Sequence, residues 1–211
     1  MRMRGANLVR AVRPQSAPHG PILAVAALLS TLIGAPILPA AEVEVGAPFT
    51  LIDQNGRTRS DTDFRGSYML IYFGYTYCPD TCPTSLLKMI EALDALEKRA
   101  PAKAAHITPI FITIDPERDT PAVLKDYAGS FSPRLVALTG KPDALRDLGY
   151  AYGVFFAKTP GSRDGYFIDH TSFTYLMAPD GRYIIHFEKD VTAEQLAGAL
   201  DAHITTPEPQ R

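Results

Sequence analysis

Apolar and polar positions follow one another along the chain in a pattern typical of strands that alternate with helices. Residues 68–73 (YMLIYF) and the run ITPIFITI, which ends at Ile114, are continuous apolar stretches, as expected of strands buried on both faces. After each run, apolar residues recur at helical spacing, first up to Arg99, before a stop at Pro101, and then over residues 122–128. A third strand (RLVALTG) and a third helix (KPDALRDLGYAYGV) continue the alternation.

The C-terminal part of the domain has a different pattern. The runs SFTYLMA and RYIIHF flank a Pro-Asp-Gly turn, which predicts two antiparallel strands, and TAEQLAGALDAHI predicts a last helix capped by Thr192. Near the start of the domain, TLID predicts a short strand that enters a turn at Asn55-Gly56. The fold class is therefore α/β: a central mixed sheet flanked by helices, with a C-terminal antiparallel hairpin and helix. Right-handed crossovers place the loops after Phe73 and Ile114 at the same sheet edge.

The N-terminal 40 residues predict a targeting segment. Arginines precede an almost wholly apolar run, residues 21–40, that ends in small residues. A run of this length is consistent with a cleaved signal peptide and with a retained membrane anchor, although Gly34, Pro36 and Pro39 interrupt it. The basic start places everything after residue 41 outside the cytoplasm, and a mitochondrial transit peptide is the lesser alternative. Residues 41–203 are then the folded domain, and residues 204–211 are predicted to be a disordered tail.

Charge excludes one class of partner. The 211-residue chain has a formal net charge of −2 from 21 basic and 23 acidic residues. Four of the arginines and none of the acids precede Ala41, so the rest of the chain carries 17 basic and 23 acidic residues, a net charge of −6. Such a domain has no basic surface for nucleic acid.

The chain has two cysteines, Cys78 and Cys82, in the segment FGYTYCPDTCPTSL. Three interpretations compete: a structural disulfide, a redox dithiol, and a pair of metal ligands. A disulfide across four residues closes a tiny loop and constrains the unfolded chain very little. The start of a helix stabilises thiolates, which serves redox chemistry and metal binding alike. If the residues between the cysteines are helical, a spacing of four residues lets both sulfurs face one ion.

A third ligand is expected among the five histidines. His19 lies in the targeting segment, His203 ends the last helix, and His106 precedes a strand at the far edge of the sheet. His186 lies within the last strand, where a packed or surface histidine is the usual interpretation. His170, in GYFIDHTSF, lies on a predicted loop that leads into the hairpin. In a thioredoxin-type sheet, that loop faces the loop that bears the cysteines.

Three segments, FGYTYCPDTCP, TIDPERDTP and DHTSFTYLMAPDGRY, together resemble the Sco/SenC family of copper-binding thioredoxin-like proteins in order and spacing, from about Gly46 to the last helix. The resemblance implies a thioredoxin-like fold and a copper site formed by Cys78, Cys82 and His170. Thiolates favour Cu(I), and an imidazole lets such a site accept Cu(II) as well. Asp169 is a candidate for orienting the His170 ring.

By the same resemblance, the chain is a copper metallochaperone rather than an enzyme. Its expected partners are a copper donor protein and the cytochrome c oxidase subunit that carries the dinuclear copper centre. Its expected location is the periplasm, at the inner membrane through the N-terminal segment. The mitochondrial inner membrane, facing the intermembrane space, is the lesser alternative.

Other functions remain open from the residues alone. In a thiol–disulfide oxidoreductase, Cys78 and Cys82 would be the attacking and resolving thiols. Such enzymes carry a proline on the loop that faces their cysteines, and this chain has none between Pro160 and Pro179. A peroxidase would need an activating arginine, and none lies between Arg65 and Arg99. Asp115, at the end of a strand, is interpreted as a turn residue before Pro116 or as a group that influences the site.

Overall fold

Nine strands and five α-helices build the part of the chain that the computed structural model describes, residues 44–161 and 165–206. The strands are β1 (Thr50–Asp53), β2 (Thr58–Ser60), β3 (Tyr68–Gly74), β4 (Ile107–Thr113), β5 (Val136–Thr139), β6 (Phe156–Pro160), β7 (Tyr166–His170), β8 (Thr174–Met177) and β9 (Tyr183–Phe187). The helices are α1 (Thr81–Arg99), α2 (Pro101–Ala105), α3 (Pro121–Gly129), α4 (Pro142–Ala151) and α5 (Ala193–His203), with a 3₁₀ turn at Asp61–Phe64.

Some of the sequence predictions concern residues that are not described. The predicted targeting segment, residues 1–40 with His19, lies outside the described residues, as do residues 207–211 of the predicted tail. Across residues 44–161 and 165–206, no helix has the length and apolar character needed to cross a membrane.

Seven strands form one mixed sheet in the order β2-β1-β5-β4-β3-β8-β9, and β6 and β7 form a separate two-stranded ribbon. The central strands β3, β4 and β5 are parallel, whereas β1 and β8 join them antiparallel. Strands β8 and β9 form the hairpin that precedes α5. The predicted α/β fold, with a mixed central sheet and a C-terminal hairpin and helix, is confirmed.

The parallel register of β3 and β4 positions the loops that follow them. Tyr68 lies opposite Ile107 and Gly74 opposite Thr113, so both strands end at the same level. The Ile114 N–H donates to the Gly74 carbonyl oxygen at 2.8 Å just beyond the last pair. The loops after β3 and β4 therefore leave the same sheet edge, as predicted, and His106 lies at the opposite edge.

Burial explains why these segments fold as they do. Every residue of β3 is buried, as expected of a strand covered on both faces. The buried residues of α1 recur every three or four positions and form one face: Cys82, Ser85, Leu86, Met89, Ala92, Leu93 and Leu96. The start of α5 is fixed by a capping box. The Thr192 hydroxyl accepts from the Gln195 backbone N–H, and the Gln195 side-chain oxygen accepts from the Thr192 backbone N–H.

Three features differ from the sequence predictions. The turn at Asn55-Gly56 leads into a second strand, β2, which pairs with β1. Pro101 does not only end α1: it occupies the first turn of the short helix α2, where its missing N–H costs nothing. The segment predicted as a loop around His170 is strand β7, paired with β6 from Phe156↔His170 to Pro160↔Tyr166.

Phe111→Ala should destabilise the domain strongly. Phe111 is fully buried in the middle of β4 and stacks on Tyr72, so truncation leaves a cavity that costs about 3–5 kcal/mol. Denaturant unfolding measures this loss of free energy. Phe155→Ala is the matched control, because the Phe155 side chain is 66% exposed and its truncation should change stability by about 0.5 kcal/mol or less. Equal losses in the two variants would contradict the placement of β4 at the centre of the core.

Candidate functional site

Cys78 and Cys82 lie where β3 passes into α1. Cys78 is half-buried in the loop, and Cys82 is fully buried in the first turn of the helix. The Cys82 backbone N–H donates to Cys78 Sγ at 3.4 Å. An N–H group at the positive end of α1 therefore points at the Cys78 sulfur and stabilises negative charge there, as the sequence predicted.

The pKa values of the two thiols are shifted in opposite directions. A hydrogen bond from the Cys82 side chain, together with the backbone N–H groups of Cys82 and Asp80, lowers the pKa of Cys78 well below its ordinary value. The same interaction with Cys78, together with burial, raises the pKa of Cys82. The pair thus holds its first negative charge on the more exposed sulfur and keeps a proton on the buried one.

His170 lies beside the cysteine pair. Its Nε2 atom is 3.5 Å from Cys82 Sγ, across 88 positions of sequence. Its Nδ1 atom is 2.9 Å from the Thr171 carbonyl oxygen, which assigns the ring proton to Nδ1 and leaves the Nε2 lone pair directed at the sulfur. The hypothesis that Asp169 orients the ring is replaced by this backbone hydrogen bond.

Two tyrosines enclose the imidazole. The His170 ring meets Tyr72 and Tyr75 edge-on, with ring centroids 6.4 and 6.1 Å apart. The Tyr75 hydroxyl accepts the Ile168 N–H at 3.2 Å and so links the cysteine loop to strand β7. The aromatic walls restrict the positions that the His170 ring can take relative to the sulfurs.

Gly74 is required by the close approach of Cys82. A Cβ atom at position 74 would lie 2.9 Å from Cys82 Sγ and equally close to the Tyr72 ring. Real Cβ atoms essentially never approach neighbours so closely, so any larger residue here must displace the sulfur or the strand. The glycine that ends β3 therefore makes room for the buried thiol.

A cleft of about 340 Å³ opens over the more exposed side of the site. Its lining includes Cys78, His170, Tyr75, Asp169 and Lys189. Cys78 and His170 thus share one solvent-facing cavity, whereas Cys82 lies beneath it. A small ion or the side chain of a partner can reach the first two groups directly.

Asp119 holds the cysteine loop, and the sequence analysis did not identify it. Its buried carboxylate accepts the Thr76 N–H at 3.0 Å, the Thr76 hydroxyl at 2.6 Å and the Thr113 hydroxyl at 2.6 Å. Thr76 lies two residues before Cys78, so this carboxylate anchors the loop at its base. Burial raises the pKa of Asp119 against the effect of these hydrogen bonds.

Among the residues that the structure describes, His106, His186 and His203 lie away from the cysteines. His186 is on β9 and packs against Phe173, with ring centroids 4.6 Å apart, and His203 is exposed at the end of α5. In the described ranges, no cluster of three or more His, Cys, Asp or Glu side chains is already spaced to hold a metal ion. The three predicted ligands are neighbours, with Cys82 in contact with both Cys78 and His170.

Fold and site together define a thioredoxin-like α/β protein with a dithiol at the start of a helix and a histidine beside it. Solved structures share this architecture. ScoI of Bradyrhizobium japonicum with copper bound is 43% identical, with a TM-score of 0.68 over 75% of this chain and 99% of that one. ScoI of Arabidopsis thaliana with copper bound is 32% identical, with a TM-score of 0.71 over 74% of this chain and 96% of that one.

Sequence comparison identifies the family. Residues 39–205 match the SCO1/SenC profile. An SCO2-like protein of Rickettsia prowazekii is 43% identical over 74% of this chain and 75% of its own length. The chain belongs to the SCO1/SenC family, which comprises copper-binding proteins of thioredoxin-like fold that are involved in cytochrome c oxidase assembly.

Gly74→Ala should expose the buried thiol. The added methyl group displaces Cys82 Sγ, and we expect a loss of about 1–3 kcal/mol in the free energy of unfolding, the usual range for overpacking. Thiol titration of the native protein should then find two rapidly reacting thiols instead of one. Gly198→Ala in α5 is the control, because nothing lies within 4 Å of its Cβ position. Wild-type thiol kinetics and stability in Gly74→Ala would contradict the close packing of Cys82.

Proposed function

We propose that this chain is a copper metallochaperone that carries its cargo ion on Cys78, Cys82 and His170. The observation that supports this most directly is the 3.5 Å contact between Cys82 Sγ and His170 Nε2, beside the Cys78 sulfur. Two soft thiolates suit Cu(I), and the imidazole extends the site to Cu(II). The Nδ1 hydrogen bond to Thr171 leaves Nε2 as the nitrogen that would bind the metal.

Delivery is the second part of the proposal. The copper would pass to the dinuclear copper centre of cytochrome c oxidase, after a copper donor protein has loaded the site. The cleft supports a transfer of this kind, because Cys78 and His170 open to it and can meet an incoming ligand. The chaperone is not itself an enzyme in this scheme.

The proposed location is the periplasm, at the inner membrane through residues 1–40. The alternative is the inner mitochondrial membrane, on the intermembrane-space side. One relative, the mitochondrial SCO1 homolog of Mus musculus, is 40% identical over 82% of this chain and 58% of its own length. Both locations are extracytoplasmic, where a dithiol needs reduction before it can accept copper.

Copper titration of the reduced protein should show about one ion per chain, with a thiolate-to-Cu(II) absorption band. Cys78→Ser and Cys82→Ser should each abolish tight binding. Loss of a residue that only supports a metal ligand typically weakens metal binding by roughly 10–100-fold. His170→Ala removes a proposed ligand itself, so Cu(II) binding should weaken by more than this, and Cu(I) binding should weaken less than Cu(II) binding. His203→Ala, at an exposed position, should bind as wild type does. Unchanged affinity in both cysteine variants would overturn the proposal.

A second candidate function, thiol–disulfide exchange, is supported by the difference in exposure and pKa between Cys78 and Cys82. A more exposed thiolate at Cys78 and a buried thiol at Cys82 match the attacking and resolving groups of a thiol–disulfide oxidoreductase. The Cys78 thiolate would attack a substrate disulfide and release one substrate thiolate. Cys82 would then displace the second substrate sulfur, leaving a Cys78–Cys82 disulfide and a reduced substrate. Since that disulfide cannot bind copper, the two functions exclude each other at any one moment.

Cys78 should be alkylated by iodoacetamide at pH values well below the usual thiol pKa of about 8.5. The rate should fall only as the pH drops through the lowered pKa of Cys78, because the thiolate is the nucleophile. In parallel, Cys82→Ser should trap a mixed disulfide with a protein substrate, and Cys78→Ser should not. Preferential alkylation of Cys82, or trapping by Cys78→Ser, would reverse the assigned roles.

A further inference from the structure

Arg118 lies where three segments of the site meet. Its guanidinium forms an ion pair through Nε with Asp115 Oδ2 and donates from Nη1 to the Tyr166 carbonyl oxygen at 3.1 Å. Its Cζ atom also lies over two aromatic rings, 3.8 Å from the Tyr166 centroid and 4.7 Å from the Tyr77 centroid. The side chain is only 14% exposed, although it lies close to the surface.

Each of these contacts belongs to a different part of the candidate site. Tyr77 directly precedes Cys78 in the cysteine loop, and Tyr166 is the first residue of β7, whose last residue is His170. Asp115 belongs to the loop after β4, and its Oδ1 accepts the Tyr166 hydroxyl at 2.7 Å. Arg118 and Asp115 therefore join the loop that bears the first thiol to the strand that bears the imidazole. Asp115 can therefore influence the site through its contacts with Arg118 and with the Tyr166 hydroxyl, which is one of the two interpretations of this residue.

The ribbon formed by β6 and β7 depends on such contacts. A two-stranded ribbon is only marginally stable by itself, and this one is separate from the seven-stranded sheet. Its other links to the loops include the Ile168 N–H bond to the Tyr75 hydroxyl, a hydrogen bond of 3.3 Å from the Tyr166 hydroxyl to Glu117, and the exposed Lys158–Glu117 ion pair. An exposed ion pair contributes about 0–1 kcal/mol, so the buried links must set the position of the ribbon.

We propose that Arg118 is a positioning residue that sets the distance between His170 and the cysteine pair. This inference rests on the proposed copper site and names a residue that controls its histidine ligand. Arg118 does not touch the metal ligands in this scheme; it acts by fixing β7 against the cysteine loop. Its loss should leave the thiolates in place, because Asp119 anchors their loop separately through Thr76.

The geometry requires arginine rather than any cation. The guanidinium donates to Asp115 and to the Tyr166 carbonyl oxygen while its Cζ atom lies over the Tyr77 and Tyr166 rings. A lysine ammonium keeps the charge but cannot make directed hydrogen bonds and stack flat on a ring together. Arg118→Lys thus tests the shape of the side chain at constant charge.

The test compares Arg118→Lys with wild type in the full chain. We expect Cu(II) affinity to fall about tenfold or more and the Cu(II) absorption band to shift, with Cu(I) affinity changed less than about twofold. Arg146→Lys is the matched control, because Arg146 pairs with Asp143 and Asp147 on the exposed face of α4 and should bind as wild type does. A uniform loss of Cu(I) and Cu(II) affinity in Arg118→Lys would overturn the proposal.

A double-mutant cycle with His170→Ala separates positioning from general destabilisation. If Arg118 acts through His170, Arg118→Lys should have no further effect on Cu(II) affinity in the His170→Ala background. An undiminished effect in that background would contradict the proposal. If His170→Ala alone leaves copper binding unchanged, the proposed ligand set is wrong.

A measurement without copper tests the role of Arg118 even if the proposed ligand set is wrong. The imidazole NMR signals of His170 should shift in reduced, metal-free Arg118→Lys, while those of His203 should not. Unshifted His170 signals would contradict the role of Arg118 whatever the protein binds.

Discussion

The parallel pairing of β3 with β4 is the constraint on which the site depends. It brings the ends of both strands to one level, with Gly74 opposite Thr113. Because of this register, the single carboxylate of Asp119 can reach both the Thr113 hydroxyl and Thr76 in the cysteine loop. A buried carboxylate is tolerated only where hydrogen bonds satisfy it, and here the partners are the last residue of β4 and a residue just beyond the end of β3, two strands that the sheet has already aligned. The pairing of the two strands thus fixes the starting point of the cysteine loop, without any contribution from the cysteines themselves.

Local pattern was sufficient to predict the elements that build this frame. Strands β3 and β4 are continuous apolar runs, and helix α1 follows from the helical spacing of Leu86, Ile90, Leu93 and Leu96. The position of both cysteines therefore followed from the sequence. His170 was predicted near the thiols from the general arrangement of a thioredoxin-type sheet, and its contact with Cys82 agrees with that placement.

The errors concern features whose stability comes from distant residues. Strands β6 and β7 are short and partly exposed, with Lys158 and Asp169 facing solvent, so neither has a strong apolar alternation. They are ordered by pairing with each other and by contacts with Tyr75 and Asp115, which no local pattern shows. The same holds for Asp119, whose partner Thr76 is 43 positions away. Asp169 was a candidate partner for His170 because it is the adjacent residue, but the Nδ1 proton of His170 is donated to the Thr171 carbonyl oxygen instead.

The two halves of the site are held with different strength, and this matters for a protein that must release its cargo. Cys82 is enclosed by the core, against Gly74 at the end of β3, so moving its sulfur requires repacking a close-packed interior. His170 belongs to a peripheral ribbon that a few hydrogen bonds and stacked rings hold in place. Displacing the imidazole therefore costs less free energy than displacing the buried thiol. In the proposed function, the imidazole would be the first ligand to leave when a partner enters the cleft, while the thiolates would retain Cu(I) until the partner supplies sulfur of its own.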